Sequence, residues 1–180
     1  MGHQLKSISK AGIAEAVAKA ELYRYINEPE EAESICRDIL AIDAEHQLAR
    51  RMLGLSITDQ FLGAAGDRYP EALSLFQSLR DPYDRSYYTG LLYERRAKAQ
   101  LLVGYSAHIL LPLIEEAMHC FAEAEKIRPV GNDDSILRWN RCVRLLESRP
   151  DFYLERESAA LEAADSPPVH LPAHRAGGHH

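Results

Sequence analysis

Glu116 and His119 stand three residues apart in Glu115-Glu116-Ala-Met-His119, a spacing that lets two side chains on one helical turn share a metal ion. Di-metal helical bundles use two Glu-x-x-His pairs with two further Glu residues, and no second pair is present in the sequence. Acids near a helix start beside a semi-exposed His account for the segment without a metal. A metal-binding helical protein built on Glu116 and His119 therefore stands as the alternative reading. Cys36, Cys120 and Cys142 contain no Cys-x-x-Cys pair. Cys36 falls at a packing position, where a thiol acts as a small apolar group, and Cys120 and Cys142 suit a helix–helix seam in the same way. The only base near a thiol is His119, which as the chain neighbour of Cys120 points to another side of the helix. Gly63-Ala-Ala-Gly66 lacks the Lys-Ser/Thr continuation of a phosphate loop. Of the 8 histidines, His170, His174, His179 and His180 lie in the last eleven residues; such a tail either captures a divalent ion loosely or does nothing with metal. No catalytic residue, cofactor or resident metal is expected.

The charged residues offer recognition rather than catalysis. Arg138, Arg141 and Arg144 stand three apart beside Trp139 and Asn140, and Arg95, Arg96 and Lys98 form a second basic patch. Against them, 27 acids and 21 Lys plus Arg give the chain a net charge of −6, which argues against nucleic acid as the partner. Either patch can receive an acidic side chain or be used up in ion pairs within the protein. The N-terminus has no apolar core of a signal peptide, since Glu15, Lys19 and Glu21 interrupt it. The apolar stretch Ala107–Ile114, broken by His108 and Pro112, is far short of the roughly 20 residues of a membrane span. No membrane association and a cytoplasmic location are expected.

These residues must be held by helices. The chain has 180 residues, 46% of them hydrophobic and 27% charged, which fits one folded domain rather than a disordered chain. Ile13, Ala16, Val17, Ala20 and Tyr23 recur at helical spacing. Asn27-Glu-Pro-Glu-Glu then reads as a stop and a new start, with Asn27 as cap and Pro29 in the first turn. Ala32, Ile35, Cys36, Ile39 and Leu40 give the second helix one apolar face, and the short connection makes an antiparallel hairpin. A third helix runs from His46 to Phe61 and a fourth opens at Tyr69-Pro. Asp81-Pro82 stops the fourth helix, and a longer fifth spans Tyr83 to about Gly104. The sixth covers Ser106 to Ile127, with Pro112 in its first turns. Ser135 to Glu147 is the seventh, capped by Asp133 or Asp134, and Phe152 to Ala164 carries the pattern of an eighth. Residues 165–180 have no packing period and are expected to be a disordered tail.

The hairpins repeat. Ala32, Cys36 and Ile39 find counterparts in Ala72, Phe76 and Leu79, then in Ala117, Phe121 and Ala124. In the first helices Ala20 and Tyr23, Gly54 and Ile57, and Gly90 and Tyr93 repeat a small-x-x-large spacing. Self-similar hairpins about 34 residues apart mark a helical repeat architecture. On these residues, and on Lys-Ile-Arg-Pro129 closing the third set, the chain resembles the tetratricopeptide repeat (TPR) family over about residues 12–147. The second unit carries extra residues around 63–68, and the third roughly fifteen more, most simply absorbed by longer helices. The expected architecture is all-α, an α-α superhelix of irregular hairpins with a capping helix. It divides into repeats near 12–45, 46–82 and 83–130 and capping helices 133–164, within a domain of 7–164.

The resemblance implies a non-catalytic scaffold that binds a peptide or protein surface on the concave side formed by the first helices. Carried across residue by residue, that surface presents Val17, Glu21 and Arg24, then Arg51, Met52, Leu55 and Asp59, then Tyr87, Tyr88, Leu91, Glu94 and Arg95, and lastly Asn140, Arg141 and Arg144. The Lys/Asn clamp with which some TPR domains hold a C-terminal carboxylate is not recognisable, because Val17, Glu21, Met52 and Leu55 stand in its places. The partner-binding residues expected on this basis are Arg51, Leu55, Tyr87, Tyr88, Leu91, Arg95, Asn140, Arg141 and Arg144. The two tyrosines have a second reading, as packing between hairpins. A protein or peptide with acidic residues is the expected partner, and self-association through an uncovered end of the array is a further outcome.

Overall fold

A computed structural model describes residues 2–63, 68–153, 158 and 161. Among the described residues a 3-10 turn at Lys10–Gly12 leads into seven α-helices. They are α1 (Ile13–Tyr25), α2 (Pro29–Ile42), α3 (Gln47–Asp59), α4 (Tyr69–Gln77), α5 (Pro82–Leu102), α6 (Ala107–Lys126) and α7 (Asp134–Glu147). No strand occurs among the described residues. Each helix packs on the next in chain order, and α1 also touches α3, α3 touches α5 and α5 touches α7. The result is an all-α array of successive helices, with the odd-numbered ones side by side.

All nine residues of the repeated triplets are buried, from Ala32 at 0% exposure to Leu79 at 3%. The small residues of the first helices explain how the hairpins close. A Cβ added at Gly54 would lie 2.5 Å from Cε1 of Phe76, and one at Gly90 would lie 2.8 Å from Cε1 of Phe121. Real Cβ atoms do not approach that closely, so each glycine is the hollow into which the ring of its own hairpin fits. Two core clusters follow from this packing. One joins α1 to α5 around Met52, Ile57, Phe76 and Leu92; the other joins α5, α6 and α7 around Leu110, Ile114, Phe121, Cys142 and Phe152.

Helix ends differ from the sequence expectation in informative ways. Asn27 does not cap α2. It ends α1, in the left-handed region at φ 63°, where short polar side chains are tolerated. The Glu28 N–H donates to Tyr23 O at 2.8 Å and the Asn27 N–H to Arg24 O at 3.1 Å, so the last carbonyls of α1 are satisfied. Gly104, at φ 89°, ends α5 in the same manner. Pro82 is not outside α5 but in its first turn, where its missing N–H costs nothing and Asp81 caps the helix. At α7 neither Asp133 nor Asp134 caps through its side chain; Asn132 Oδ1 accepts from the Asp134 N–H at 3.0 Å and from the Tyr83 hydroxyl at 3.2 Å.

The third pair absorbs its extra residues as the longer helices foreseen. Past the glycine, α3 runs five residues further and α5 twelve. α4 opens three residues before Ala72, and α6 ten before Ala117. Of the expected eighth helix, residues 151–153, 158 and 161 are helical, and the rest lies outside the described residues, as do residues 64–67 and the tail 165–180.

Candidate functional site

The face shared by α1, α3, α5 and α7 holds the candidate binding residues, and its charges form a ladder across the helices. Asp59, at the end of α3, accepts from Arg24 of α1 at 2.9 Å and from Arg95 of α5. The Arg95 guanidinium also donates to the Thr58 hydroxyl at 2.6 Å. Burial pulls the Arg95 guanidinium below its ordinary pKa even with Asp59 beside it. Further along, Arg51 lies over the Tyr88 ring, 5.5 Å from its centre, and 3.6 Å from the Asp84 carboxylate. Both cations expected to meet an acidic partner here are thus engaged within the protein.

The apolar members of the expected groove are packing residues. Leu55 is 8% exposed and Leu91 3%, and both belong to the first core cluster. They correct the sequence expectation, because the side-by-side contact of α3 with α5 buries the face on which both stand. Tyr87 and Tyr88 join an aromatic column. Tyr88 stacks on Phe76 at 5.6 Å, Tyr87 meets Tyr88 edge-on at 5.0 Å and stacks on Tyr83 at 5.7 Å. Tyr87 also reaches Phe121, at 5.9 Å, so the column ties the second hairpin to the third. Both tyrosines stay half-buried.

Glu94 is the residue whose environment the sequence did not reveal. Its side chain is fully buried at the seam of α5 and α7. One carboxylate oxygen accepts from Lys98, one helical turn on. The other has no hydrogen bond and lies 3.6 Å from the Arg138 guanidinium of α7. Burial lowers the pKa of Arg138, but the Glu94 carboxylate and the Tyr87 hydroxyl together more than offset this, so its charge is held. The resemblance places Glu94 with Arg95 on the concave face; only the packing of α7 against α5 decides that a neighbour covers it.

Beyond Arg138 the pairing stops. Arg141 and Arg144 are exposed, Asn140 is half-buried, and neither arginine makes an ion pair or hydrogen bond among the described residues. Of the nine expected binding residues, these three have no side-chain partner among the described residues.

The alternative chemistries lack partners. Glu116 and His119 are exposed on α6, and no group of three metal-ligating side chains occurs among the described residues. Burial pushes the thiols of Cys36 and Cys142 up to about 12 and that of Cys120 up to about 11. A thiol in that range is protonated at neutral pH and is a poor nucleophile. Among the described residues no helix is long and apolar enough to cross a membrane. No family model, curated protein or solved structure matches the chain.

Proposed function

We propose that this protein is a non-catalytic, cytoplasmic scaffold of the TPR type, which takes an acidic peptide segment into the groove along its odd-numbered helices. The repeat reading is supported by the buried triplets and by two glycines that each receive a ring of their own hairpin. A reducing compartment agrees with three cysteines that are all free. The observation that carries the binding reading is the contrast along the ladder. Arg24, Arg51 and Arg95 have carboxylates within the protein, whereas Arg141 and Arg144 stand exposed without one among the described residues. Two guanidiniums three residues apart can each grip a carboxylate with paired hydrogen bonds, and Asn140 beside them can hold a peptide amide.

The test uses a fluorescein-labelled twelve-residue peptide of alternating Glu and Leu or Tyr. It should bind the wild type, weaken as salt rises, and lose tenfold or more in affinity on Arg141→Ala/Arg144→Ala. Tenfold corresponds to about 1.4 kcal/mol, within reach of two charge-assisted contacts. Equal affinity for wild type and variant would remove the α7 end of the groove as the binding site.

A further inference from the structure

The extended third pair exposes apolar surface that its packing role does not explain. α5 is eight residues longer than α3, so at 1.5 Å per residue it runs on by about 12 Å. One side of this extension is covered: Ala97, Leu110, Leu111 and Ile114 are buried with Leu146 and Phe152. The other side is bare. Leu102 is 73% exposed, Val103 64%, Tyr105 51% and Ile109 52%, and Leu62 beyond the end of α3 adds another at 61%.

These residues surround two adjoining hollows. One, of about 170 Å³, is lined by Phe61, Leu62, Ala99 and Leu102 together with Arg95 and Lys98. The other, of about 240 Å³, shares Phe61, Leu62 and Ala99 and continues over Val103 and Tyr105 to Arg96. Of the three cations around them, Arg95 is paired with Asp59 and Lys98 with the buried Glu94, which leaves Arg96. Between Glu94 and Glu115 the chain carries Arg95, Arg96 and Lys98 and no acid at all, in a protein whose net charge is −6. Asp59 is the one acid among the described residues that line either hollow, and it is already held by Arg24 and Arg95. Arg96 lies over the Tyr69 ring, 4.0 Å from its centre, and makes no ion pair among the described residues.

We propose that this overhang is a second docking surface, distinct from the α7 arginines, and that its occupant is an amphipathic helix of another protein with acidic flanks. A helix laid in an apolar groove offers anchors at i, i+3, i+4 and i+7, which suits two adjoining hollows, and Glu or Asp beside the anchors complements Arg96, the rim cation that has no carboxylate among the described residues.

The probe is an eighteen-residue helical peptide with Leu and Phe at that spacing and Glu on both flanks, compared with its Glu→Lys counterpart. Fluorescence anisotropy should show the Glu peptide binding at least tenfold more tightly. Leu102→Ser/Val103→Ser alters only exposed side chains, so helicity by circular dichroism should be kept while affinity falls tenfold or more. Arg141→Ala/Arg144→Ala should leave this affinity within twofold, which separates the overhang from the groove on α7. Equal binding of the Glu and Lys peptides, or sensitivity to the α7 variant instead, would overturn the proposal. So would light scattering that shows a wild-type dimer made monomeric by Leu102→Ser/Val103→Ser, because the surface would then belong to a second copy.

Discussion

The second and third helix pairs close in the same way and end differently. In each a glycine of the first helix receives a phenylalanine of the second, Gly54 with Phe76 and Gly90 with Phe121. Yet the second pair is short and its charges are matched. Glu33 of α2 accepts from Arg68 at 2.7 and 2.9 Å, from Gln60 at 2.9 Å and from Arg37 at 2.9 Å. Glu71 of α4 takes both arginines as well. The third pair is long, exposes leucine and valine at its tip, and packs on an α7 whose Arg141 and Arg144 meet no carboxylate among the described residues. Shared packing with divergent surface is what a repeat allows: the ring-in-hollow contact is needed to close a hairpin, and the flanks are left to binding.

The shared contact yields the largest expected effects. Gly54→Ala drives a methyl group to 2.5 Å from the Phe76 ring, and Gly90→Ala drives one to 2.8 Å from Phe121 and 3.0 Å from the Cβ of Cys120. Each should cost about 1–3 kcal/mol by overpacking, read as a lower urea midpoint. Phe76→Leu introduced with Gly54→Ala should cost less than the sum of the two single changes, since the smaller side chain vacates the space. Additive costs would mean that the glycine serves something other than the ring.

The repeated positions behind this contact are legible in the sequence because they depend on residue size at fixed helical spacing, whereas the seating of each ring on a glycine is seen only in the fold. Ala32, Cys36 and Ile39 and their two counterpart sets repeat a pattern that only close helix packing explains, and all nine are buried. The binding face was legible only in outline. Helical period puts Leu55, Leu91 and Glu94 on one side of their helices, but whether that side meets water depends on how closely the next helix lies. Nor does sequence say which arginine finds an acid. Asp59 meets Arg24, 35 residues away, and Arg95, 36 residues away, and only the folded array brings the three together. Asn27 was misjudged for a local reason, since the same side chain serves a helix end in the left-handed region and a helix start by capping.

Acid should sharpen the contrast between matched and unmatched charge. Burial alone would raise the carboxyl of Glu33, but hydrogen bonds from Arg68, Gln60 and Arg37 override it and hold it at about 2, against an ordinary 4.5. Glu71 is lowered too, by Arg37 and Arg68 against its own burial. A carboxylate whose pKa is lower when folded adds stability above its unfolded pKa and loses it as pH falls through the folded one. The Glu33 contribution is therefore complete at neutral pH and declines between 4.5 and about 2. Glu33→Gln should lower the urea midpoint at neutral pH, and its difference from wild type should shrink steadily over that range. A difference independent of pH would assign the loss to shape rather than charge.

The smallest effect is expected where charge has no partner. Arg141 and Arg144 are exposed and touch no carboxylate among the described residues, so Arg141→Ala/Arg144→Ala should shift stability by no more than about 0.5 kcal/mol. Arg95→Ala removes a guanidinium that holds Asp59 and the Thr58 hydroxyl, and should cost about 1–3 kcal/mol, as lost hydrogen bonds to charged groups do. Measuring both by urea unfolding tests whether the two ends of the ladder differ in kind. Equal costs would mean that Arg141 and Arg144 also serve the fold, and binding would have to be sought elsewhere. A wide gap would mean that the α7 arginines are retained at no benefit to stability, which is the behaviour of side chains that act on a partner.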